Sequence, residues 1–340
     1  MYKKPFLLTL LLLPLCCLAQ QIKIGERTFK FNDTLRHRPL TTEVWYPTTD
    51  AREPFEIPNY PFVHVNTVRE AKLPNAKCPL VLISHGTGGS RMTLEWLADA
   101  LVAKGFIVAA VDHWGNTYDN KIALNFVTPW ERPRDISFVL TQLLQHQELS
   151  KVIDEKRIGA AGFSIGGYTV IALAGAALNL DALIKFSGTP QGIKEMTIPE
   201  YPNLSASLDE GAVRASFKNS PDLKDNRIRA FFAMSPAAGQ GMPDRKSVRR
   251  IKSPLFIVGA QSDSICPVTT NAGWYHKLIS PSKLYIVPGK TGHYVFLNEA
   301  VGDTKKQGGI LFNDDAAVNR RAVHDKVAAI AVSFFSESLN

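Results

Sequence analysis

Six short apolar runs recur along the chain, each followed by a loop and, in most cases, a helical stretch. They are Leu80–Ile83, Phe106–Val111, Ile158–Phe163, Arg229–Met234 (apolar after its first residue), Leu255–Gly259 and Leu284–Val287. A run that is apolar at every position, rather than at alternate ones, fits a strand covered on both faces. Parallel strands need crossovers, and helices supply them. The repeated order of strand and helix therefore predicts one doubly wound, mostly parallel α/β sheet. Helices are expected over about 92–104, ending at Gly105, and over about 132–149, with Ile136, Val139, Leu140, Leu143 and Leu144 at helical spacing. Two more follow at 168–177 and about 315–338. Residues 22–31 and 41–47 instead alternate apolar and polar positions, as two antiparallel starter strands do. The stretch 48–78 reads as a long connection.

Two segments lie outside this rhythm. Residues 186–226 carry Gly188, Pro190, Gly192, Pro199, Pro202 and Pro221 and only short helical pieces. An insertion of that length in a compact α/β domain is expected to be a lid or binding loop. The other segment is the N-terminus. Lys3 and Lys4 precede an apolar run from Pro5 to Leu18, too short to span a bilayer, and Cys17-Leu18-Ala19 offers small residues to a signal peptidase. Residues 1–19 are expected to be a cleaved signal peptide, leaving residues 20–340 as one domain in a periplasmic or secreted protein with no integral membrane segment. A lipid-anchored cysteine is disfavoured, because Leu15 and Cys16 stand where a small residue would precede it. Cleavage leaves Cys78 and Cys266. They fall at opposite edges of a parallel sheet, so two free, buried thiols are expected.

Composition adds one question. The chain has 340 residues and a formal charge of +8, which falls to +6 when Lys3 and Lys4 leave. The densest basic cluster, Arg245–Lys252, precedes a core strand and has no interleaved aromatics. It reads as a solvated surface, with no nucleic-acid partner. No metal-ligand spacing such as H-x-x-E-H or C-x-x-C occurs, and no G-x-G-x-x-G follows the first strands, so no cofactor is expected.

The chemistry is concentrated in Gly162-Phe163-Ser164-Ile165-Gly166-Gly167. Here G-x-S-x-G lies between a strand and a helical run, the context of a nucleophile elbow. A serine hydroxyl needs a base within hydrogen-bond reach, and the base needs an orienting acid. In this architecture the order is Ser, acid, His. After Ser164 the histidines are His276, His293 and His324. His293 follows the strand Leu284–Val287 and is the expected base; the other two lie in helical stretches. Asp263 follows Leu255–Gly259 on the same sheet edge and is the expected acid, over Asp112 (which precedes Ser164) and Asp244 (in a turn). An oxyanion hole is expected from the N–H of Ile165 and the N–H of Thr87 in His85-Gly86-Thr87-Gly88-Gly89, with Gly88 as the alternative donor. His85 braces that loop. Gly86, Gly88, His113 and Trp114 are expected to line the substrate site, although a plain turn with a packed Trp114 fits the last pair as well.

These pieces carry a likeness. Val44–Pro47, Ser84–Gly89, Val111-Asp112-His113, Arg132–Ile136, the Ser164 elbow, Asp263 and Gly292-His293 together resemble α/β-hydrolases of the group containing plasma-type platelet-activating factor acetylhydrolase and bacterial dienelactone-hydrolase-related enzymes. Dienelactone hydrolases proper carry a cysteine nucleophile where this chain has Ser164. Asp263–Val268 also resembles the acid loop of secreted cutinase-like polyester hydrolases. The resemblance implies an α/β-hydrolase fold and a secreted serine hydrolase acting on small carboxylic esters with short-chain or lipid-like acyl groups. The alternatives are a polyester hydrolase, and a peptidase or amidase on the same three residues.

Overall fold

The computed structural model describes residues 23–202, 204 and 208–340. The expected signal peptide lies outside the described residues. Lys23–Asp33 (β1) and Arg38–Thr48 (β2) pair antiparallel along their length, with Lys23 opposite Thr48 and Asp33 opposite Arg38. The connection that follows contains a two-residue strand, Val68–Arg69 (β3), parallel to β1. Then come Cys78–Ser84 (β4), Ile107–Val111 (β5), Ile153–Phe163 (β6), Ala230–Met234 (β7), Leu255–Ala260 (β8) and Ser282–Val287 (β9). The sheet order is β3-β1-β2-β5-β4-β6-β7-β8-β9. From β5 to β9 every pairing is parallel, and β2 joins β5 antiparallel.

Both faces of the sheet are covered. Leu80 and Leu82 of β4 pack into one core with Ile136, Val139 and Leu140 of the helix Glu131–Gln145 and with the helix Ile165–Ala174. Val81 and Ile83 point the other way. They meet Leu97 and Leu101 of the helix Glu95–Val102, and Val327 and Phe334 of the helix Arg320–Ser338. This two-sided burial is why the strand runs are apolar at every position. Each large aliphatic side chain buried this way contributes roughly 1.5–3 kcal/mol.

The element boundaries shift where turns intervene. The helix expected to reach 149 stops at Gln145 and resumes as Leu149–Val152, so that β6 starts at Ile153, ahead of the apolar run at Ile158. The last helix begins at Arg320, capped by the Asn319 side chain accepting the Ala322 N–H. The two thiols are free. Cys266 is buried as expected, but Cys78 is only half-buried, because it is the first residue of β4, at the N-terminal end of that internal strand. The basic cluster leads into β8 at its N-terminal edge, and its Arg250 pairs with Asp222.

The topology also fixes where a ligand belongs. The chain enters the parallel part of the sheet at β4, crosses to β5, and returns past β4 to β6. Strand order reverses there, and the loops leaving β4 and β6 diverge to leave a crevice at their C-terminal ends. Ser84 lies opposite Gly162. The loop that starts at His85 and the turn at Ser164 therefore open side by side.

Candidate active site

β6 ends at Phe163 and a helix starts at Ile165, leaving Ser164 alone in the turn. Its φ of 57° and ψ of −120° are strained for a residue with a Cβ, at a cost of order 1–3 kcal/mol. The surroundings hold it there. The Ser164 N–H donates to the Met234 carbonyl at 2.9 Å, and the Ser164 carbonyl accepts from the Ala237 N–H at 3.0 Å. Gly162 and Gly166 make the turn possible. A Cβ on Gly162 would collide with the Gly166 backbone, and one on Gly166 with the Ser84 carbonyl. The helix dipole then points its positive end at the Ser164 hydroxyl.

The three expected partners come together. His293 Nε2 lies 3.0 Å from Ser164 Oγ, and His293 Nδ1 lies 2.7 Å from Asp263 Oδ2. Asp263 Oδ1 accepts the backbone N–H groups of Ile265 at 2.9 Å and Cys266 at 2.7 Å. Burial alone would raise the Asp263 carboxyl. The adjacent His293 and the Cys266 N–H outweigh it and hold the group below its ordinary value, so it is ionised at neutral pH. With Nδ1 donating to that carboxylate, Nε2 is left to accept from the serine hydroxyl. Burial pushes the neighbouring Cys266 thiol well up, which keeps it protonated and poorly nucleophilic. Ser164, His293 and Asp263 are 7%, 4% and 6% exposed, so all three residues are largely shielded from water.

The loop after β4 passes beside the serine. A Cβ on Gly86 would touch the Phe163 ring at 3.0 Å and Ser164 Cβ at 3.4 Å, so Gly86 lets the two segments approach. The Gly88 N–H is already donated to Asn116 Oδ1 at 3.1 Å. Gly88, the alternative oxyanion donor expected beside Thr87, thus has its N–H engaged within the protein. His85 is a brace as expected. Its Nδ1 donates to the Gly86 carbonyl at 2.6 Å and its Nε2 accepts the His113 N–H at 3.2 Å. Burial first, then Arg132 and His113, depress its pKa well below the ordinary value, so the ring is neutral.

His113 does not line the site. It is fully buried, with Nδ1 donating to Asp135 Oδ2 and Nε2 accepting from Ser84 Oγ, both at 2.9 Å. Burial, then the nearby Arg132, brings its pKa down to about 3. Trp114 is half-buried against the core, with its carbonyl accepting from Asn125 Nδ2 at 3.0 Å. A strand end on the functional edge turns inward here, because Asp135 supplies a buried partner for the imidazole. Asp135 also receives two hydrogen bonds from Arg38, at 2.8 and 2.7 Å, and lies 3.0 Å from Arg36. Burial would raise this carboxyl, but Arg38 and His113 hold it well below the carboxylate range. Asp135→Ala should therefore destabilise the fold by about 3–5 kcal/mol, since it strands buried cations. Chemical unfolding at neutral pH measures this, and a loss under about 1 kcal/mol contradicts it. The sign with pH follows from the depressed pKa. The contribution is complete above the ordinary carboxylate value, and is lost as pH falls through the lower value of the folded state.

The insertion reaches the site at Glu200, which composition did not mark. A Cβ on Gly88 would meet Glu200 Cβ at 2.9 Å. The Tyr294 hydroxyl donates to Glu200 Oε1 at 3.0 Å, and Lys121 Nζ donates to the Glu200 carbonyl at 2.8 Å. Nearby, Glu195 Oε2 accepts from Thr270 Oγ1 at 2.9 Å and from Gln240 Nε2 at 2.7 Å. Among the described residues no helix is long and apolar enough to cross a membrane, and no cluster of three metal-binding side chains occurs.

Comparison with known proteins agrees with this architecture. Residues 67–207 match the dienelactone hydrolase family, a stretch that holds the Gly86 loop and Ser164 and ends before Asp263 and His293. The chain is 23% identical over 228 residues to cutinase est1 of Thermobifida alba, covering 65% of this chain and 56% of that protein. The match thus spans little more than half of the cutinase's length. A ferulic acid esterase from Streptomyces cinnamoneus superposes with a TM-score of 0.59 at 20% identity, over 94% of this chain and 91% of its own.

Proposed function

The chain has an α/β-hydrolase fold, and from that premise we propose that it hydrolyses carboxylic esters through a serine acyl-enzyme. The observation that carries this reading is the unbroken line from Ser164 Oγ through His293 to Asp263 at the strand-order reversal. Ser164 Oγ attacks the acyl carbonyl as His293 Nε2 takes its proton. The tetrahedral oxyanion rests on the N–H groups of Ile165 and Thr87. His293 then gives the proton to the leaving alcohol, and the acyl-enzyme forms. Water attacks in the second half, with His293 again as base, and the acid is released. Gly86 and Gly88 border the scissile carbonyl in this scheme. The names of the cutinase and of the esterase that the chain resembles support an ester substrate over an amide.

Residues 186–226 act in this reading as a lid. Glu200 and Tyr294 form its clasp over the closed serine, and opening admits substrate. A covered serine favours small soluble esters over a polymer surface. The protein works outside the cytoplasm, delivered by the expected signal peptide.

The test is a panel of p-nitrophenyl esters of increasing acyl length beside a p-nitroanilide, with fluorophosphonate labelling of the same preparation. Turnover of the short esters, slower anilide cleavage and label on Ser164 are expected. Label on a different residue, or no turnover of any ester, overturns the reading.

A further inference from the structure

Arg132 is the deepest cation near the site and has no part in the scheme above. It is 1% exposed, on the helix Glu131–Gln145, and among the described residues it donates to uncharged groups alone. Nη1 donates to Asn116 Oδ1 at 3.2 Å. Nη2 donates to the His85 carbonyl, and lies 3.4 Å from Ser84 Oγ. The same Asn116 Oδ1 accepts the Gly88 N–H, while Asn116 Nδ2 is tied to the Asn125 carbonyl at 3.0 Å. The guanidinium thus grips the glycine loop at two points, directly at His85 and through Asn116 at Gly88. Thr87 is held between those two points.

We propose that Arg132 and Asn116 are positioning residues that clamp the His85–Gly88 backbone so that the Thr87 N–H meets the developing oxyanion. This rests on the serine-hydrolase reading and on Thr87 as donor. A glycine-rich loop has many accessible conformations, and only a few aim one chosen N–H at a fixed point. Fixing it before the reaction removes reorganisation from the activated step, where electrostatic stabilisation is largest. A planar fork suits the task. It can hold a carbonyl and a carboxamide oxygen at once, which a lysine ammonium cannot do with the same geometry. The charge has a further effect. Arg132 is buried away from water, so its field is little screened at the loop it grips.

The experiment compares Asn116→Ala, Arg132→Lys and the double variant with wild type. It measures kcat and KM on p-nitrophenyl acetate, and inhibition by an aryl trifluoromethyl ketone, whose adduct with serine carries an oxyanion. Active-site counts from fluorophosphonate labelling correct for unfolded protein. Asn116→Ala should lower kcat about 10²-fold, the scale of losing one oxyanion donor, with KM within about threefold. Its inhibition constant should rise by a similar factor, since the ketone adduct imitates the transition state. The double variant should be no more than about threefold worse than the poorer single, because both act through one loop. A kcat for Asn116→Ala within about threefold of wild type, or an unchanged inhibition constant beside a reduced kcat, overturns the clamp. So does a multiplicative double variant. If Arg132→Lys does not fold, Asn116→Ala decides alone. Failure of the serine-hydrolase reading would be visible separately, as wild type inert to both ester and ketone.

Discussion

Ser164→Ala is expected to lower turnover of p-nitrophenyl acetate by about 10⁴–10⁶-fold while the protein still folds. The substitution removes one oxygen and leaves the Cβ, so the strained turn at φ 57° is no worse than before. The backbone bonds to Met234 and Ala237 do not involve the hydroxyl. His293 loses its Nε2 partner but keeps Asp263. The melting temperature should therefore stay within a few degrees of wild type, and fluorophosphonate labelling should vanish. The remaining rate would come from the proposed oxyanion donors, Thr87 and Ile165, acting on a bound ester attacked by water. Ester hydrolysis within about tenfold of wild type in a folded, unlabelled variant would mean that another group carries the chemistry.

What could be read beforehand follows how local each signal is. The strands from β4 to β8 announce themselves because burial on both faces makes their inner stretches apolar at successive positions. Ser164, Asp263 and His293 could be proposed because each follows a strand, and strands in a parallel sheet all end on one edge. The elbow glycines are local too, since they relieve contacts within a few residues or with the adjoining strand. His113 shows where that logic stops. It also follows a strand on the functional edge, yet it faces inward, because Asp135 from a distant helix provides its partner. Glu200 meets Gly88 only through the path of the insertion, and no spacing encodes that path. Arg132 and Asp135 left a fainter trace. They extend the buried stripe of Ile136, Val139, Leu140 and Leu143 by one turn, so two charges stand where a helix should be apolar. A charge on a core-facing stripe needs a buried partner, and that requirement was a signal of the network behind the site.

Asp263→Asn should cost about 10⁴-fold in kcat at neutral pH, or about 5.5 kcal/mol of transition-state stabilisation. The argument runs through the two oxygens of this carboxylate. Oδ1 accepts two backbone N–H groups, from Ile265 and Cys266, and Oδ2 accepts from His293 Nδ1. An asparagine has one oxygen, and the two backbone N–H groups, that of Cys266 buried, claim it, since leaving them unpaired is the costlier arrangement. Its amide nitrogen then faces His293. Two donors cannot meet, so Nδ1 must become the acceptor and the ring proton moves to Nε2. Nε2 lies 3.0 Å from Ser164 Oγ. In the variant it offers a proton to the hydroxyl that it should deprotonate. The imidazolium of the transition state also loses its counter-charge. Packing is nearly unchanged, so thermal stability should fall far less than activity does. Labelling by fluorophosphonate should slow by a comparable factor, because it needs the same base. If kcat stays within about thirtyfold of wild type, the carboxylate of Asp263 is not what orients His293, and the tautomer argument fails with it.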